Sequence, residues 1–334
     1  MVRTKNPIIG ITMGDAAGIG PEIVDKALSM NEILELCRPI VIGDAKVLSE
    51  AQKVARTALE ICRVTRVSEA KFAPGVMDVI DLSNIRIGEL RMGEPQAMAG
   101  KASFEYIKRA VELALAGEIN AITTAPISKE ALNMAGYNYP GHTEILADMT
   151  GSKDFAMMFV AGTLRVILVT IHVSLREAID LIKKNKVLAI IKLAHDSMRK
   201  FGVANPRIVV AGLNPHAGEA GMFGSEDTDE IAPAVEAAKD LGIDVVGPLP
   251  ADTIFYRASK GQFDIVVAMY HDQGCIPIKL LGFEVGVNIT VGLPIVRTSP
   301  DHGTAYGRAG RRLGTGDPSS LLEAIRIASK LSVS

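Results

Sequence analysis

Short apolar runs alternate with longer amphipathic segments along most of the chain. The apolar runs are rich in Val and Ile and have the length of buried β-strands. The amphipathic segments repeat their apolar residues at helical spacing. Strands separated by helices predict βαβ units, and therefore an α/β fold with a mostly parallel sheet. We predict strands at 7–14, 38–44, 119–126, 164–174, 207–216 and 263–272, and helices at 20–29, 100–118, 175–202, 228–242 and 318–331.

Three of the predicted strands end in, or lead directly into, a histidine: His172 in ILVTIHVS, His216 in GLNPHAGE and His271 in VVAMYHDQG. In open α/β sheets, ligands bind beyond the carboxyl ends of the strands. Three imidazoles at one sheet edge would give a divalent cation three neutral nitrogen ligands and leave positions open for substrate. The pattern therefore predicts a site for zinc, magnesium, cobalt, nickel or manganese. The alternative is three hydrogen-bonded, partly buried histidines without a metal.

Composition narrows the class of protein. The 334 residues are 48% hydrophobic and carry a net charge of -2, which argues against nucleic acid or an anionic membrane as the main partner. Three cysteines without a CxxC pair suit a reducing cytosol. No apolar stretch has the length of a membrane span, and the N-terminal segment lacks a signal-peptide core. We expect a soluble cytoplasmic protein with two domains or one elaborated α/β unit.

Polar residues set among apolar neighbours predict an anion pocket. The glycine-rich loop MGDAAGIGPE, at 13–22, is neither a GxGxxG fingerprint nor a P-loop, and a tight turn explains it as well as a ligand contact does. His142 and Thr143 follow a Pro-Gly turn and can donate to a phosphate oxygen. Lys279, Asn288 and Arg297 could hold a dianionic or trianionic substrate. The alternative for them is an internal network of ion pairs.

Six motifs, in order, closely resemble the 4-hydroxythreonine-4-phosphate dehydrogenase (PdxA) family of vitamin B6 synthesis: MGDAAGIGPE, PGHTEIL, GLNPHAGE, MYHDQG, VNITVGLP and RTSPDHGTA. The resemblance covers essentially the whole chain. It implies an NAD- or NADP-dependent homodimer whose active site is shared between subunits. It also implies two α/β domains around a cleft, as in isocitrate and isopropylmalate dehydrogenases. We place one domain at 1–125 plus 285–334, with the glycine-rich loop and cofactor loop, and the other at 126–284, with the metal and substrate residues.

The resemblance also implies roles for individual residues. His172, His216 and His271 would bind the metal, and the substrate would be held by His142, Thr143, Lys279, Asn288 and Arg297. The cofactor's adenosine would contact the loop that contains Asp301, His302, Gly303 and Thr304. Lys279 is the candidate proton donor or acceptor. Two carboxylates near the metal motifs, Asp252 and Asp272, are candidate ligands or partners of a ligand histidine, although Asp252 could equally belong to a turn or helix cap.

The stretch TTAPISKEALNMAGYNYPGHTEIL resembles a sister branch that acts on D-threonate or D-erythronate 4-phosphate. Enzymes of the B6 branch more often have a Gly-Pro-Val-type run where this chain has Ala125, Pro126 and Ile127. We favour the sugar-acid branch, with pyridoxine biosynthesis as the alternative to carbohydrate metabolism. In either branch the C3 hydroxyl is oxidised and the resulting 3-oxo acid loses CO2.

Two other classes of function stay open at this point. A phosphotransacetylase-like transferase shares the wider architecture but is not expected to need three histidines. A metabolite-binding protein would keep the anion pocket without turnover. Binding of NAD would separate the dehydrogenase from both, because a ligand of the native state raises the melting temperature.

Overall fold

A computed structural model describes residues 6–282 and 284–332. With elements numbered in chain order, the strands are β1 Ile8–Thr12, β2 Arg38–Gly43, β3 Glu60–Val64, β4 Val76–Asp81, β5 Ala121–Thr124, β6 Ala156–Ala161, β7 Leu164–Leu168, β8 Ile208–Ala211, β9 Val245–Leu249, β10 Ile265–Ala268, β11 Val287–Val291 and β12 Arg297–Pro300. The helices are α1 Gly20–Leu28, α2 Ile33–Leu36, α3 Ala45–Ala55, α4 Ala97–Leu115, α5 Lys129–Met134, α6 His142–Thr150, α7 Leu175–Leu181, α8 Lys184–Lys200, α9 Ala232–Asp240, α10 Ala251–Ser259, α11 His271–Gly282, α12 Tyr306–Ala309 and α13 Ser319–Ser332. The predicted α/β class is confirmed.

The first of two compact units is drawn from Met1–Ser152 and Leu293–Val333. Its strands lie in the order β3-β4-β2-β1-β5-β12, and every pair in that series is parallel. Ile9 and Ile11 of β1, like Ile40 and Ile42 of β2, are fully buried. The central strands are continuous apolar runs because helices cover both faces of a parallel sheet.

The second unit, Lys153–Gly292, has the strand order β11-β6-β7-β10-β8-β9. β10 pairs in parallel with β7 and β8, whereas β6 pairs antiparallel with β7 and with β11. Only Gly162 and Thr163 connect β6 to β7, and Gly162 has a positive φ of 57°. A connection this short makes a hairpin, so the prediction of a mostly parallel sheet holds for the first unit and fails at this edge of the second.

The boundaries between the units differ from those predicted at 125/126 and 284/285, since they fall at 152/153 and 292/293. The reason is that α5 and α6 pack against α4 of the first unit. His142 and Thr143 therefore share a unit with Arg297, from which the predicted boundary separated them. Among the described residues, no helix is both long enough and apolar enough to cross a membrane.

Candidate active site

The N-terminus of α6 offers backbone N–H groups without a side-chain cap. Its N-cap is Gly141, which offers no side-chain hydrogen bond, and His142 and Thr143 are the first two helical residues. The first N–H groups of a helix have no partner within the helix and carry partial positive charge. A bound phosphate commonly satisfies such groups. Thr143 is only 4% exposed, so its hydroxyl lies inside the protein at this helix end.

Arg297, the first residue of β12, places a buried guanidinium in the same unit. Its side chain is 2% exposed, and its Nε and Nη2 atoms donate to the Thr124 hydroxyl at 3.2 and 2.7 Å. Thr124 ends β5, the strand that pairs with β12. Burial lowers the pKa of Arg297 from 12.5 to about 9, and the nearby Glu144 carboxylate partly offsets that effect. A buried guanidinium strongly favours a bound anion, because the anion returns the favourable electrostatics that burial removed.

His142 adds an unsatisfied polar atom to this arrangement. Its Nε2 atom is buried and has no hydrogen-bond partner. Burial, and then the charge of Arg297, hold the pKa of His142 well below 6.5. The imidazole is therefore neutral at physiological pH, and Nε2 can carry a proton to donate to a phosphate oxygen. We call His142, Thr143, Thr124 and Arg297 the anion site.

The three histidines follow neighbouring strands of the second unit. β7, β10 and β8 are adjacent and parallel, so their carboxyl ends meet at one edge of the sheet. His172 follows β7 by four residues and His271 begins α11 directly after β10. The rings of His172 and His271 have centroids 5.9 Å apart. A cavity of about 270 Å³ at this edge is lined by both histidines, Tyr270 and Asp272.

Hydrogen bonds tie these loops to one another. The backbone N–H and hydroxyl of Thr170 donate to the Met269 carbonyl at 3.2 and 2.8 Å. The Gln273 side chain accepts from the Met269 N–H at 2.6 Å and donates to the Gly212 carbonyl at 2.8 Å. Hydrogen bonds therefore connect the segments that lead to His172, His216 and His271.

His216 lies on an unusual turn. Residues 216–220 all have positive φ, of which only Gly218 is a glycine. The carboxylate of Asp227, 1% exposed, accepts hydrogen bonds from the Leu213 and Asn214 N–H groups at 2.8 and 3.0 Å and so anchors the turn. Left-handed conformations of non-glycine residues cluster at functional sites. Sequence reasoning missed Asp227, which lies eleven residues after the histidine it supports.

One chain does not assemble the whole predicted metal centre. Within residues 6–282 and 284–332, no group of three or more His, Cys, Asp or Glu side chains could hold a metal ion. The structure brings His172 and His271 together, and His216 packs near Phe223, with ring centroids 6.4 Å apart. Two imidazoles fit part of a divalent-metal ligand set, and a third donor has to come from elsewhere.

Asp272 fits the role of a partner to a ligand histidine. Its Oδ1 lies 2.7 Å from Nδ1 of His271. A carboxylate on Nδ1 fixes the tautomer that leaves Nε2 with a lone pair for a metal. Asp252 instead lies exposed in the first turn of α10, where a carboxylate favourably meets the helix dipole. Cys275, four residues after His271, is 3% exposed and packs in the core of this unit.

Lys279 and Asn288 lie away from the sheet edge that carries His172 and His271, which we call the histidine edge of the second unit. Lys279 comes eight residues after His271 on α11, and a helix rises 1.5 Å per residue, so about 12 Å of helix separates their backbones. Asn288 is the second residue of β11, which runs in the same direction as β7 because both are antiparallel to β6. Its Oδ1 atom is buried without a hydrogen-bond partner, at the opposite end of the strand from the histidine edge.

The segment from Asp301 to Thr304 is held against the glycine-rich loop of the first unit. The Ile19 N–H donates to the Thr304 carbonyl at 3.0 Å, and the Tyr306 hydroxyl donates to Oδ2 of Asp15 at 2.8 Å. Burial raises the pKa of Asp15, whose other oxygen accepts from the Ala17 N–H. Asp15 and Tyr306 were not among the predicted site residues, although Asp15 lies in the glycine-rich loop and Tyr306 directly follows the motif RTSPDHGTA.

Comparison with known proteins defines the class of this chain. Residues 35–328 match the family model described as pyridoxal phosphate biosynthetic protein PdxA. The chain is 52% identical over 326 residues to the D-threonate 4-phosphate dehydrogenase of Cupriavidus necator, an alignment that covers 97% of each chain. Two crystal structures of 4-hydroxythreonine-4-phosphate dehydrogenases are also similar. The Burkholderia phymatum enzyme has 51% identity and a TM-score of 0.86 over 98% of this chain and 99% of that one. The Klebsiella pneumoniae enzyme has 44% identity and a TM-score of 0.91 over 99% of each.

The chain is therefore an oxidoreductase of the dehydrogenase class. It belongs to the PdxA family, since the family model and the similar proteins together span nearly its full length.

Proposed function

We propose that the chain oxidises the C3 hydroxyl of D-threonate 4-phosphate or D-erythronate 4-phosphate, with decarboxylation of the 3-oxo acid. Its substrates belong to the 4-phosphorylated hydroxy acids, the class that the names of its relatives share. The observation that carries the proposal is the anion site, where a helix N-terminus, a buried Arg297 and an unsatisfied His142 Nε2 converge on one ligand chemistry. A terminal phosphate would accept from the helix N–H groups and from His142 Nε2, and its charge is opposite to that of Arg297.

A second substrate, 4-hydroxy-L-threonine 4-phosphate, is favoured by the two similar crystal structures, which are enzymes named for it. The candidates differ at C2, which carries an amino group in one and a hydroxyl in the other. The phosphate end is the same, so the anion site accepts both equally. The 52% identity to a D-threonate 4-phosphate dehydrogenase supports the sugar-acid substrate.

The proposed reaction needs a hydride acceptor and a Lewis acid. NAD or NADP supplies the acceptor, and a divalent cation supplies a positive charge for the C3 oxygen. His172 and His271 would hold the cation, together with His216 as the third nitrogen donor. The hydrogen bond of Asp272 to His271 Nδ1 supports this role, because it orients the ring for coordination through Nε2.

We propose that a second copy of the chain completes the site. Lys279 can act as proton donor or acceptor only if it lies close to the sheet edge that carries His172 and His271. About 12 Å of helix separates Lys279 from that edge in its own unit, so it would have to serve the edge of a second copy. The same helix exposes an apolar face. Ile276 and Leu280 are 64% and 84% exposed, and Leu281 is 57% exposed. An exposed apolar helix face of this kind is typical of an interface, and it would carry Lys279 to the second copy.

The residues of the chain then have separate roles in binding the substrate and in proton transfer. His142, Thr143 and Arg297 fix the phosphate and so position C3 without taking part in bond changes. Asn288 offers its buried Oδ1 to a donor group of the substrate. Lys279 takes the proton from the C3 hydroxyl and returns one to carbon after decarboxylation.

We also propose a cytoplasmic location. Cys37, Cys62 and Cys275 form no disulfide in the described part of the chain, as expected in a reducing compartment. Burial raises the pKa of Cys37 to about 12, so this thiol is protected from oxidation by its own environment.

The test follows NADH or NADPH formation from 4-phospho-D-threonate, 4-phospho-D-erythronate and 4-phosphohydroxy-L-threonine, with and without a strong chelator. We expect chelator-sensitive turnover that is fastest with one of the first two substrates. His271→Asn should abolish turnover, whereas His195→Asn, a substitution on α8, serves as the matched control and should retain it. Fastest turnover of the amino substrate would move the chain to the B6 reaction, and no reduced nucleotide from any of the three would refute the proposal.

A further inference from the structure

Three aromatic side chains of the first unit stack on one another directly before the start of α6. Phe104 lies on α4, and Tyr137 and Tyr139 lie in the segment that connects α5 to α6. The ring centroids of Phe104 and Tyr137 are 3.9 Å apart, with planes inclined by 13°. Those of Phe104 and Tyr139 are 6.1 Å apart, with planes inclined by 20°. All three side chains are half-buried. We call Phe104, Tyr137 and Tyr139 the aromatic clamp.

The packing of α5 on α4 fixes one end of the clamp. A Cβ on Gly100 of α4 would overlap the Ala131 carbonyl of α5, so glycine is needed for this close contact of the two helices. Phe104 lies four residues after Gly100 and therefore on the same face of α4. The Tyr137 N–H donates to the Leu132 carbonyl at 3.0 Å, a hydrogen bond of the Schellman type that ends α5. This helix end places Tyr137 against Phe104.

Tyr139 connects the clamp to α6 itself. Its hydroxyl donates to Oδ2 of Asp148 at 2.6 Å, and Asp148 is the seventh residue of α6. The helix is thus held at two places: at its start by the chain through Pro140, whose ring fixes φ, and nearly two turns further along by this hydrogen bond. The bond therefore opposes sliding or rotation of α6 relative to α4.

The anion site needs such a restraint because its donors belong to two different parts of the fold. Arg297 and Thr124 lie on neighbouring strands of the sheet, β12 and β5. His142, Thr143 and the first N–H groups belong to α6, which packs on α4. Both sets of donors reach one phosphate only if α6 keeps its place relative to the sheet. A displacement of about 1 Å in such an arrangement can cost about 100-fold in rate.

We propose that the aromatic clamp positions the anion site, by fixing the N-terminus of α6 where His142 and Thr143 can share one phosphate with Arg297. The proposal rests on the proposed function, in which that phosphate belongs to the substrate. The three rings act through α6 and are therefore positioning residues. The clamp contributes to substrate affinity through geometry, and it leaves dinucleotide binding and proton transfer by Lys279 unaffected.

Phe104→Leu tests the clamp, because leucine keeps an apolar side chain on α4 and removes the stacked ring. We expect the KM for the phosphorylated substrate to rise about tenfold, the upper end of what one aromatic pair contributes. The KM for the dinucleotide and the kcat at saturating substrate should stay unchanged. Phe104→Tyr keeps a ring and should retain the wild-type KM. Phe263→Leu is the matched control, since Phe263 is a 9% exposed ring of the second unit that lies under Arg257. This control should lower stability without changing either KM.

A double-mutant cycle isolates the hydrogen bond to α6. Tyr139→Phe keeps the ring and removes the hydroxyl, and Asp148→Ala removes the acceptor. Each should raise the substrate KM by about two- to tenfold. If both act through one bond, the double variant should have the same KM as either single variant. Asp148→Asn keeps an acceptor and should stay close to the wild type. Because Asp148 is exposed, this cycle tests the clamp even where Phe104→Leu does not fold. Multiplying effects of the two single substitutions would overturn the role assigned to Tyr139.

Failure of the clamp is distinguishable from failure of the proposed function. Binding of inorganic phosphate is measured as an increase in melting temperature, which needs no turnover. Reduced nucleotide formed by the wild type, with an unchanged substrate KM in Phe104→Leu and Tyr139→Phe, overturns the clamp alone. A phosphate effect that Phe104→Leu diminishes, without turnover of any of the three substrates by the wild type, supports the clamp and refutes the proposed reaction alone. A wild type whose melting temperature does not respond to phosphate overturns the anion site and the clamp together.

Discussion

Arg297→Met should reduce the use of phosphorylated substrates by more than its effect on the fold explains. Burial lowers the pKa of Arg297 from 12.5 to about 9, and the nearby Glu144 carboxylate partly offsets that effect. At about 1.36 kcal/mol for each pKa unit, burial disfavours the charged form by on the order of 5 kcal/mol relative to the neutral form. Methionine keeps the length and apolar stem without the charge, and it leaves the Glu144 carboxylate without this cation. Removing one partner of a buried charge pair destabilises by about 3–5 kcal/mol, so the free energy of unfolding should fall by up to that amount.

The effect on binding should be separable from this loss of stability. A phosphate held by a buried guanidinium loses about 2–5 kcal/mol of binding free energy when the guanidinium is removed. That range corresponds to a decrease in kcat/KM of about 30-fold to several thousand-fold. Both effects come from the loss of one charge, which Glu144 stabilises in the fold and which the phosphate binds. A residue that served only the fold would lose stability on substitution and leave kcat/KM nearly unchanged.

Urea denaturation and steady-state kinetics at saturating cofactor measure the two effects. Arg165→Met is the matched control, because burial also lowers the pKa of Arg165, which lies in the second unit, donates to the Asp264 carbonyl and stacks over Phe201. This control should alter stability and leave kcat/KM unchanged. Easier unfolding of Arg297→Met with an intact kcat/KM would show that Arg297 is a structural residue and that the anion site has been misassigned.

Two further predictions concern pH and assembly. Because burial and Arg297 lower the folded-state pKa of His142 below 6.5, the unfolded chain takes up a proton below that pH when the folded chain does not. His142 should therefore cost the wild type up to about 1.4 kcal/mol of stability for each pH unit below 6.5. Urea titrations between pH of about 7.5 and 5 should show that the stability of His142→Asn depends less steeply on pH than that of the wild type. Equal slopes of stability against pH would mean that His142 is protonated in the folded protein. Leu280→Lys, at a side chain 84% exposed, should convert the proposed dimer to monomers in sedimentation experiments and remove activity. Leu115→Lys, at a residue 52% exposed at the end of α4, should do neither, and a monomeric wild type would refute the shared site.

Periodicity predicted the elements that carry a strong local signal. The strands that became β1, β2, β5, β8 and β10 are Val- and Ile-rich runs, and α13 matches its predicted span to within one residue at each end. The predicted strand at 164–174 ends at Leu168, because the residues that follow leave the sheet to carry His172. Six strands were not predicted: β3, β4, β6, β9, β11 and β12. β6 and β11 lie in runs without a clear helix-strand alternation, and their antiparallel pairing depends on a two-residue turn and on contacts distant in sequence.

The residue types of the site could be predicted from the sequence, but their spatial arrangement could be predicted only in part. The histidine edge follows from three strands whose adjacency no spacing reveals, since β10 lies between β7 and β8 although it comes last in the chain. Lys279 follows His271 by only eight residues, which is a short distance in sequence. Because those residues form a helix, the distance between the two residues in space is long. Asp227, which anchors the turn of His216, acts through backbone N–H groups, and such contacts leave no pattern in the sequence.

Helix capping and hydrogen-bond satisfaction are both incomplete where the chain is expected to bind phosphate, and each lapse has a cost in folding free energy. The N-terminus of α6 has Gly141 as its N-cap and so lacks a side-chain cap, which costs roughly a few tenths of a kcal/mol. The unsatisfied Nε2 of His142 costs about 1–3 kcal/mol. These two costs fall on adjacent groups, beside the buried guanidinium of Arg297, and one phosphate would offset both. Each cost is removable by a single substitution, so stability alone does not explain why the fold retains both. Their coincidence beside a buried cation is therefore stronger support for a phosphate site than either feature alone.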